Sequence, residues 1–170
     1  MRANDDMVRS LHLIFALTCA ILMSQFPAYH QQYLQRLGGA LDEVREQIAA
    51  LDERAAKAGM ERYDYVRHFR NNPDPIVSGE GEAMVQTLAR QTWLIDALDR
   101  LRGAPWYMIL VEDAFHLDPA IARNTLQDFQ PAVPLSISGG AHAFLGFFIG
   151  YMLPAVLWSL MPFRRARREA

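Results

Sequence analysis

The two ends of the chain are apolar, whereas its middle mixes apolar and polar positions. Residues 11–29 and 139–163 contain no Asp, Glu, Lys or Arg. A helix crosses the hydrocarbon core of a bilayer with about 20 apolar residues. The pattern therefore predicts transmembrane helices over residues 11–29 and 137–162, the second of them capped by Ser136 or Ser138.

A cleaved signal peptide is the main alternative for the first apolar run. Asp5 and Asp6 precede that run, which is unfavourable in a secretion signal, and cleavage after Ala28 would place Phe26 where a small residue is needed. For both runs together, the alternative is a buried helical hairpin of a soluble protein.

Arginines decide between these alternatives and set the orientation. Four of them directly follow the second run, namely Arg164, Arg165, Arg167 and Arg168. Positive residues beside a span are retained in the cytoplasm, and Arg2 and Arg9 bias the N-terminus in the same direction. The pattern predicts a bacterial inner-membrane protein with cytoplasmic tails at residues 1–10 and 163–170 and a periplasmic domain at residues 30–136.

Small residues predict that the two spans pack against each other. Small side chains at every fourth position let helix backbones approach closely in lipid, although chance is the alternative in spans rich in Ala and Gly. Two polar residues at a similar outer depth are expected to bridge the spans. The positions concerned are Ala16, Ala20, Ser24, Gly146 and Gly150 for the packing, and Gln25 and His142 for the bridge.

Residues 31–57 carry the clearest periodic pattern. Apolar residues there alternate steps of three and four, which is typical of a helix with a coiled-coil-like stripe. The stripe consists of Leu34, Leu37, Leu41, Val44, Ile48 and Leu51. Gly59 is expected to end this helix. A short helix over 61–69, a turn over 71–75 and a second long helix over 81–102 complete a predicted antiparallel helical hairpin.

A short apolar segment follows the predicted hairpin. Residues 105–111 are too few to span a bilayer. Trp106 and Tyr107 at the start of the segment favour a position at the membrane interface, and the core of the hairpin is the alternative. Asp118 followed by Pro119 then predicts the cap and first turn of another short helix.

Charge and motifs narrow the chemistry. Residues 30–137 contain 11 Lys and Arg against 16 Asp and Glu, a net charge of 11 − 16 = −5, which argues against a nucleic-acid partner. Cys19 is the single cysteine and cannot form an intramolecular disulfide. Glu112 and His116 lie four residues apart on one predicted helix face, but a metal site needs further ligands. The sequence contains no nucleotide-binding or nucleophile motif, and we expect no cofactor.

Several short motifs resemble one known family. They are the sequences Ser-Gln-Phe-Pro at 24–27, Gln-Tyr-Leu-Gln-Arg-Leu-Gly-Gly at 32–39, Asn-Pro-Asp-Pro at 72–75, His-Leu-Asp-Pro at 116–119 and Phe-Gln-Pro at 129–131. This set resembles a bacterial inner-membrane family known only as a domain of unknown function. The resemblance covers nearly the whole chain and implies a two-pass topology without implying an activity.

Three functions are compatible with these patterns. The leading hypothesis is a non-enzymatic scaffold, assembly factor or accessory subunit that presents a periplasmic helical hairpin to a protein partner or to another copy of the chain. The second is a sensory or transport-linked subunit that passes motion of the hairpin through the membrane. The third is a small membrane enzyme that uses the polar residues at the outer ends of the spans.

Overall fold

The chain folds into α-helices. The computed structural model describes residues 2–105, 107–133 and 136–160, and all regular secondary structure of these residues is helical, as the sequence predicted. The helices are α1 (Arg2–Ser24), α2 (Phe26–Lys57), α3 (Arg62–Arg70), α4 (Pro75–Gly103), α5 (Ile109–His116), α6 (Pro119–Gln127) and α7 (Ile137–Leu160). The predicted basic tail at 163–170, Trp106 and the last two residues of the second predicted span lie outside the described residues.

The chain divides into two compact units. Met1–His30 and Phe129–Ala170 form one, here the terminal unit, and Gln31–Asp128 form the other, here the central unit. In the terminal unit α1 packs against α7. The segment Arg9–Lys57, which begins within α1, and the segment Ile137–Pro154 of α7 reach mean hydropathies of 1.7 and 1.2 over 18 residues, of which only 11% and 22% are buried. By length and composition, both are candidate membrane-spanning helices.

A single residue separates α1 from α2. α1 ends at Ser24 and α2 begins at Phe26, and the Gln25 N–H donates to the Leu22 carbonyl, a tighter step than an α-helical bond. The cause is Pro27, which has no N–H and whose ring crowds the carbonyl four residues earlier. α7 begins where Ser136 accepts a hydrogen bond from the Gly139 N–H, so Ser136 is the cap of the second candidate span.

In the central unit, α2 extends to Lys57 and ends as the sequence predicted. Gly59 adopts a left-handed conformation with a φ of 69°, and the Met60 N–H donates to the Ala55 carbonyl. Gly59 is therefore the C-terminal cap residue of α2. Its left-handed conformation lets N–H groups beyond the helix bond to carbonyls of the last turn that have no partner within the helix.

The second long helix starts earlier than the sequence analysis predicted. α4 begins at Pro75 rather than at residue 81, because the Asp74 side chain accepts a hydrogen bond from the Ile76 N–H and Pro75 occupies the first turn. Two glycines near the start of α4 have different roles. Gly79 faces open space, whereas a Cβ on Gly81 would overlap the backbone of Arg70 in α3. Gly81 therefore allows α3 and α4 to cross closely.

Candidate functional site

The contact between α1 and α7 depends on residues without bulk. A Cβ built on Gly146 would lie 2.5 Å from the Cys19 carbonyl oxygen, and one built on Gly150 would lie 2.8 Å from the Ala16 Cα. Ala16 is fully buried. The helices could not approach this closely with larger side chains at these positions. The sequence analysis did not assign Cys19 to this contact, although it lies three residues after Ala16 and so falls near the same helix face.

Other predicted packing residues have local partners. Ala20 is half-buried, and Ser24 is buried with its hydroxyl donating to the Ile21 carbonyl at 2.6 Å. Ser24 also accepts a hydrogen bond from the Gln25 amide at 3.2 Å.

The predicted bridge between Gln25 and His142 is not among the hydrogen bonds of the described residues. The side-chain oxygen Oε1 of Gln25 accepts a hydrogen bond from the Ala132 N–H at 3.0 Å. His142 is buried, its Nδ1 lies 2.8 Å from the Ser138 carbonyl oxygen, and its ring stacks on Phe26. Each of the two side chains therefore has a backbone group as a partner, the Ala132 N–H for Gln25 and the Ser138 carbonyl for His142. Gln25 thus ties the segment before α7 to the end of α1, and the aromatic contact adds a second tie.

The apolar stripe of α2 lies in the core of the central unit. Leu37, Leu41, Ile48 and Leu51 are at most 3% exposed, Leu34 is 9% exposed and Val44 is half-buried. From α4, the residues that join this core are Leu94, Ala97, Leu98 and Leu101.

Two observations relate α2 to α4 along their lengths. A Cβ on Gly38 would lie 3.7 Å from the Arg102 guanidinium, and one groove is lined both by residues near Leu51 and by residues near Met84.

A polar cluster in the central unit centres on Asp118. The Asp118 carboxylate caps α6 by accepting from the Ala120 and Ile121 N–H groups at 2.8 and 3.0 Å. Its other oxygen lies 2.7 Å from an Arg90 nitrogen, and the Arg90 guanidinium lies 4.8 Å from the centre of the Trp93 ring. The Asp118 N–H donates to the Tyr33 hydroxyl at 2.8 Å. The cluster therefore joins α2, α4 and α6.

The charge of Asp118 is stabilised within this cluster. Burial alone would raise the pKa of the carboxyl, but hydrogen bonds from Ile121, Arg90 and Ala120 outweigh it and hold the pKa below its ordinary value. The sequence predicted Asp118 as a cap, because the Asp-Pro pair is local. It could not reveal Tyr33 or Arg90, which are distant along the chain.

Further ion pairs hold the short helices in place. Arg62 of α3 forms a two-pronged pair with Asp52 of α2, and the hydrogen bond from Arg62 lowers the pKa of Asp52 despite the opposing effect of burial. At the other end of the stripe, Arg36 pairs with Asp128. These pairs fix α3 and α6 against opposite ends of the α2 stripe.

The acidic and histidine residues of α5 form a local pair. His116 Nδ1 lies 3.1 Å from a Glu112 carboxylate oxygen and also 3.1 Å from the Glu112 carbonyl. Within the described part of the chain, no group of three or more His, Cys, Asp or Glu side chains could hold a metal ion. The polar constellations seen here hold helices together.

These features define a class: an all-helical protein with two candidate membrane-spanning helices and a polar helical unit between them. Within that class, the chain belongs to the protein family of unknown function DUF2937, whose model matches residues 7–167. Comparison with curated proteins and with solved structures gave no match. The predicted resemblance to a domain of unknown function is thereby confirmed.

Proposed function

We propose that the chain is a two-pass protein of the bacterial inner membrane whose central unit lies in the periplasm as a scaffold, assembly factor or accessory subunit. The observation that carries this proposal is the outward apolar surface of α1 and α7. Leu11, Leu22 and Phe144 are 67%, 67% and 73% exposed. Apolar patches of monomeric soluble proteins rarely exceed a few hundred Å². Lipid tails cover such a surface without cost.

The surface of the central unit supports a binding role. Its apolar stripe is used internally, and the reverse order of contacts between α2 and α4 favours an antiparallel hairpin as the framework. Capped helix ends and ion pairs such as Arg62–Asp52 hold the helices of this framework in place, so that the unit presents one defined surface. With an excess of acidic residues, it suits a protein partner or a second copy rather than nucleic acid.

Topology is tested with reporter fusions. A reporter joined after residue 168 should report the cytoplasm, and one inserted at Pro73 should report the periplasm, with the insertion at the exposed Gly79 as a second position in the same unit. A cytoplasmic signal at both Pro73 and Gly79 would overturn the proposed orientation.

The scaffold role is tested by purifying the full chain in mild detergent. A stoichiometric partner should copurify with the wild type and with Gln47→Asp, an exposed position, and should be lost with Ile48→Asp, whose side chain is 3% exposed. Purification without any partner, together with a monomeric mass, would contradict this role and favour a small membrane enzyme.

A sensory or transport-linked subunit is the second candidate. One observation favours it: only Gln25 separates α1 from α2, and α2 continues without a break into the central unit, so a displacement of α1 can be passed along one helix. A transporter or a kinase as the copurifying partner would favour this function over a scaffold.

A further inference from the structure

The short helix α5 exposes large apolar side chains and buries a carboxylate. Phe115 is 79% exposed, Val111 is 45% exposed and Met108 at the cap is 36% exposed, whereas Asp113 is 2% exposed. In a soluble domain the aromatic side chain is ordinarily buried and the carboxylate faces water.

The exposed apolar residues form one continuous face. At 3.6 residues per turn, Met108, Val111 and Phe115 lie within roughly 60° of each other around the helix, and Tyr107 extends this face by roughly 40°. Tyr107 is 64% exposed. Asp113 lies on the side opposite to this face, together with the half-buried Ile109 and Leu110, so the exposed face of the helix is the apolar one.

α5 lies at the end of the central unit where the chain enters and leaves. Only Leu117 separates α5 from Asp118, whose N–H donates to Tyr33, three residues after the terminal unit ends at His30. Asp128, where the chain leaves, pairs with Arg36 in the same part of α2.

The connection on the other side is short. Eight residues, 129–136, separate Asp128 from the first residue of α7. They can extend at most roughly 30 Å, so this end of the central unit cannot move far from the candidate spans. If α1 and α7 cross a bilayer, both covalent connections keep this end of the central unit, and with it the C-terminal end of α5, near the bilayer surface.

We propose that α5 is an interfacial helix, whose face of Met108, Val111 and Phe115 contacts lipid and docks the central unit onto the bilayer that α1 and α7 cross. This inference rests on the proposed membrane topology. The occupant is a lipid surface because the face is apolar and aromatic, is directed outward and is tethered close to the spans. Interfacial helices place such a face about 5–10 Å into the boundary between headgroups and acyl chains.

Spin labels on the full chain test this inference. Each variant carries one cysteine in a Cys19→Ala background and is reconstituted into phosphatidylethanolamine and phosphatidylglycerol vesicles. The label at Phe115→Cys, with Val111→Cys as a second position, is compared for collisions with oxygen, which partitions into lipid, and with a water-soluble nickel chelate. Both residues are exposed, so the substitutions leave the core intact.

Two reference positions make the outcomes distinguishable. Leu17→Cys on α1, 49% exposed, reports the span, and Tyr63→Cys on α3, 68% exposed, is a matched exposed aromatic beside Arg62, which pairs with Asp52. Asp52 lies 16 residues beyond Arg36, about 24 Å along α2. We expect oxygen to dominate at 17, 111 and 115, and the nickel chelate to dominate at 63.

Other results would overturn the inference in separate ways. If the nickel chelate dominates at 111 and 115 while oxygen dominates at 17, the interfacial helix is wrong and the proposed topology stands. If neither reagent reaches 111 and 115, a protein partner or a second copy covers this face. If the nickel chelate dominates at 17, the proposed topology fails, and the docking inference fails with it.

Discussion

The terminal and central units both consist of α-helices, but the terminal unit exposes its large apolar side chains whereas the central unit buries them. In the terminal unit, leucines and phenylalanines point outward, and the contact between α1 and α7 is made by Ala16, Gly146 and Gly150. In the central unit, leucines such as Leu37 and Leu94 are fully buried and ion pairs lie at the surface. Under the proposed topology, this difference follows from the solvent of each unit, which is lipid for the terminal unit and water for the central unit. Apolar burial drives helix association in water, whereas in lipid close backbone contact and hydrogen bonds must do so.

The comparison predicts that a charge is tolerated least in the stripe of the central unit. Ile48→Asp buries an unpaired carboxylate at a position that is 3% exposed. Such a change is expected to cost about 3–5 kcal/mol, comparable to the whole stability of a small domain. Chemical unfolding of the purified full chain, followed by circular dichroism, measures the loss.

Gln47→Asp is the matched control for this substitution. Gln47 is exposed and lies beside Glu43, so the added charge costs only about 0.2–0.5 kcal/mol. Equal destabilisation by both variants would show that the stripe is not the core of the unit.

Two neighbouring glycines of α4 should respond to alanine in opposite directions. Gly81→Ala forces a methyl group onto the backbone of Arg70 and should destabilise the protein by about 1–3 kcal/mol. Gly79→Ala meets no atom within 4 Å and should stabilise it by about 0.5–1 kcal/mol through higher helix propensity. Thermal unfolding of both variants measures the signs, and a shared sign would contradict the close crossing of α3 and α4.

The ion pair between Asp118 and Arg90 should make the stability of the central unit sensitive to acid. The pKa of Asp118 lies below its ordinary value of 3.8, so its stabilising effect is complete at neutral pH and is lost as the pH falls through the folded-state pKa. Asp118→Asn keeps an acceptor for the cap but removes the charge beside Arg90. Because the folded-state pKa is the lower one, the loss begins near pH 3.8 and continues below it, and unfolding measured from neutral pH to well below 3.8 should show a smaller acid-induced loss in this variant.

Two further variants separate the cap from the charge of Asp118. Asp118→Ala removes both and should cost about 1–2 kcal/mol more than the cap-retaining Asn variant. Asp74→Asn, at the exposed cap of α4, should leave stability within about 0.5 kcal/mol of the wild type. An unchanged acid response in Asp118→Asn would refute the role of this carboxylate.

The smallest effect is expected at the contact between α1 and α7. Gly150→Leu places a side chain where a Cβ already lies 2.8 Å from Ala16 and should weaken the helix pair by on the order of 1 kcal/mol. The measurement is the rate of disulfide crosslinking between cysteines that replace Ser24 and Ala143 in a Cys19→Ala background. In the Gly150→Leu variant, this crosslinking within one chain should be slower. Gly140→Leu, which meets no atom within 4 Å, is the control. Crosslinking only between chains would assign the small residues to a dimer.

The sequence by itself determined those features of the protein that depend on local or periodic patterns. The apolar runs located α1 and α7, the three-and-four spacing located the buried stripe of α2, and Gly59 and Asp118 marked helix ends. These signals are readable because helix periodicity, capping and backbone conformation each depend on residues within a few positions of one another.

Only the tertiary structure decided which distant side chains meet. Tyr33 and Arg90 reach Asp118 across 85 and 28 positions of the chain. The role of Gly81 depends on the backbone of α3, and Gln25 and His142 contact the Ala132 N–H and the Ser138 carbonyl rather than each other. The outward face of α5 belongs to the same class, because the sequence showed that the segment is apolar but not which side is buried. Packing selects among contacts that local patterns leave equally available.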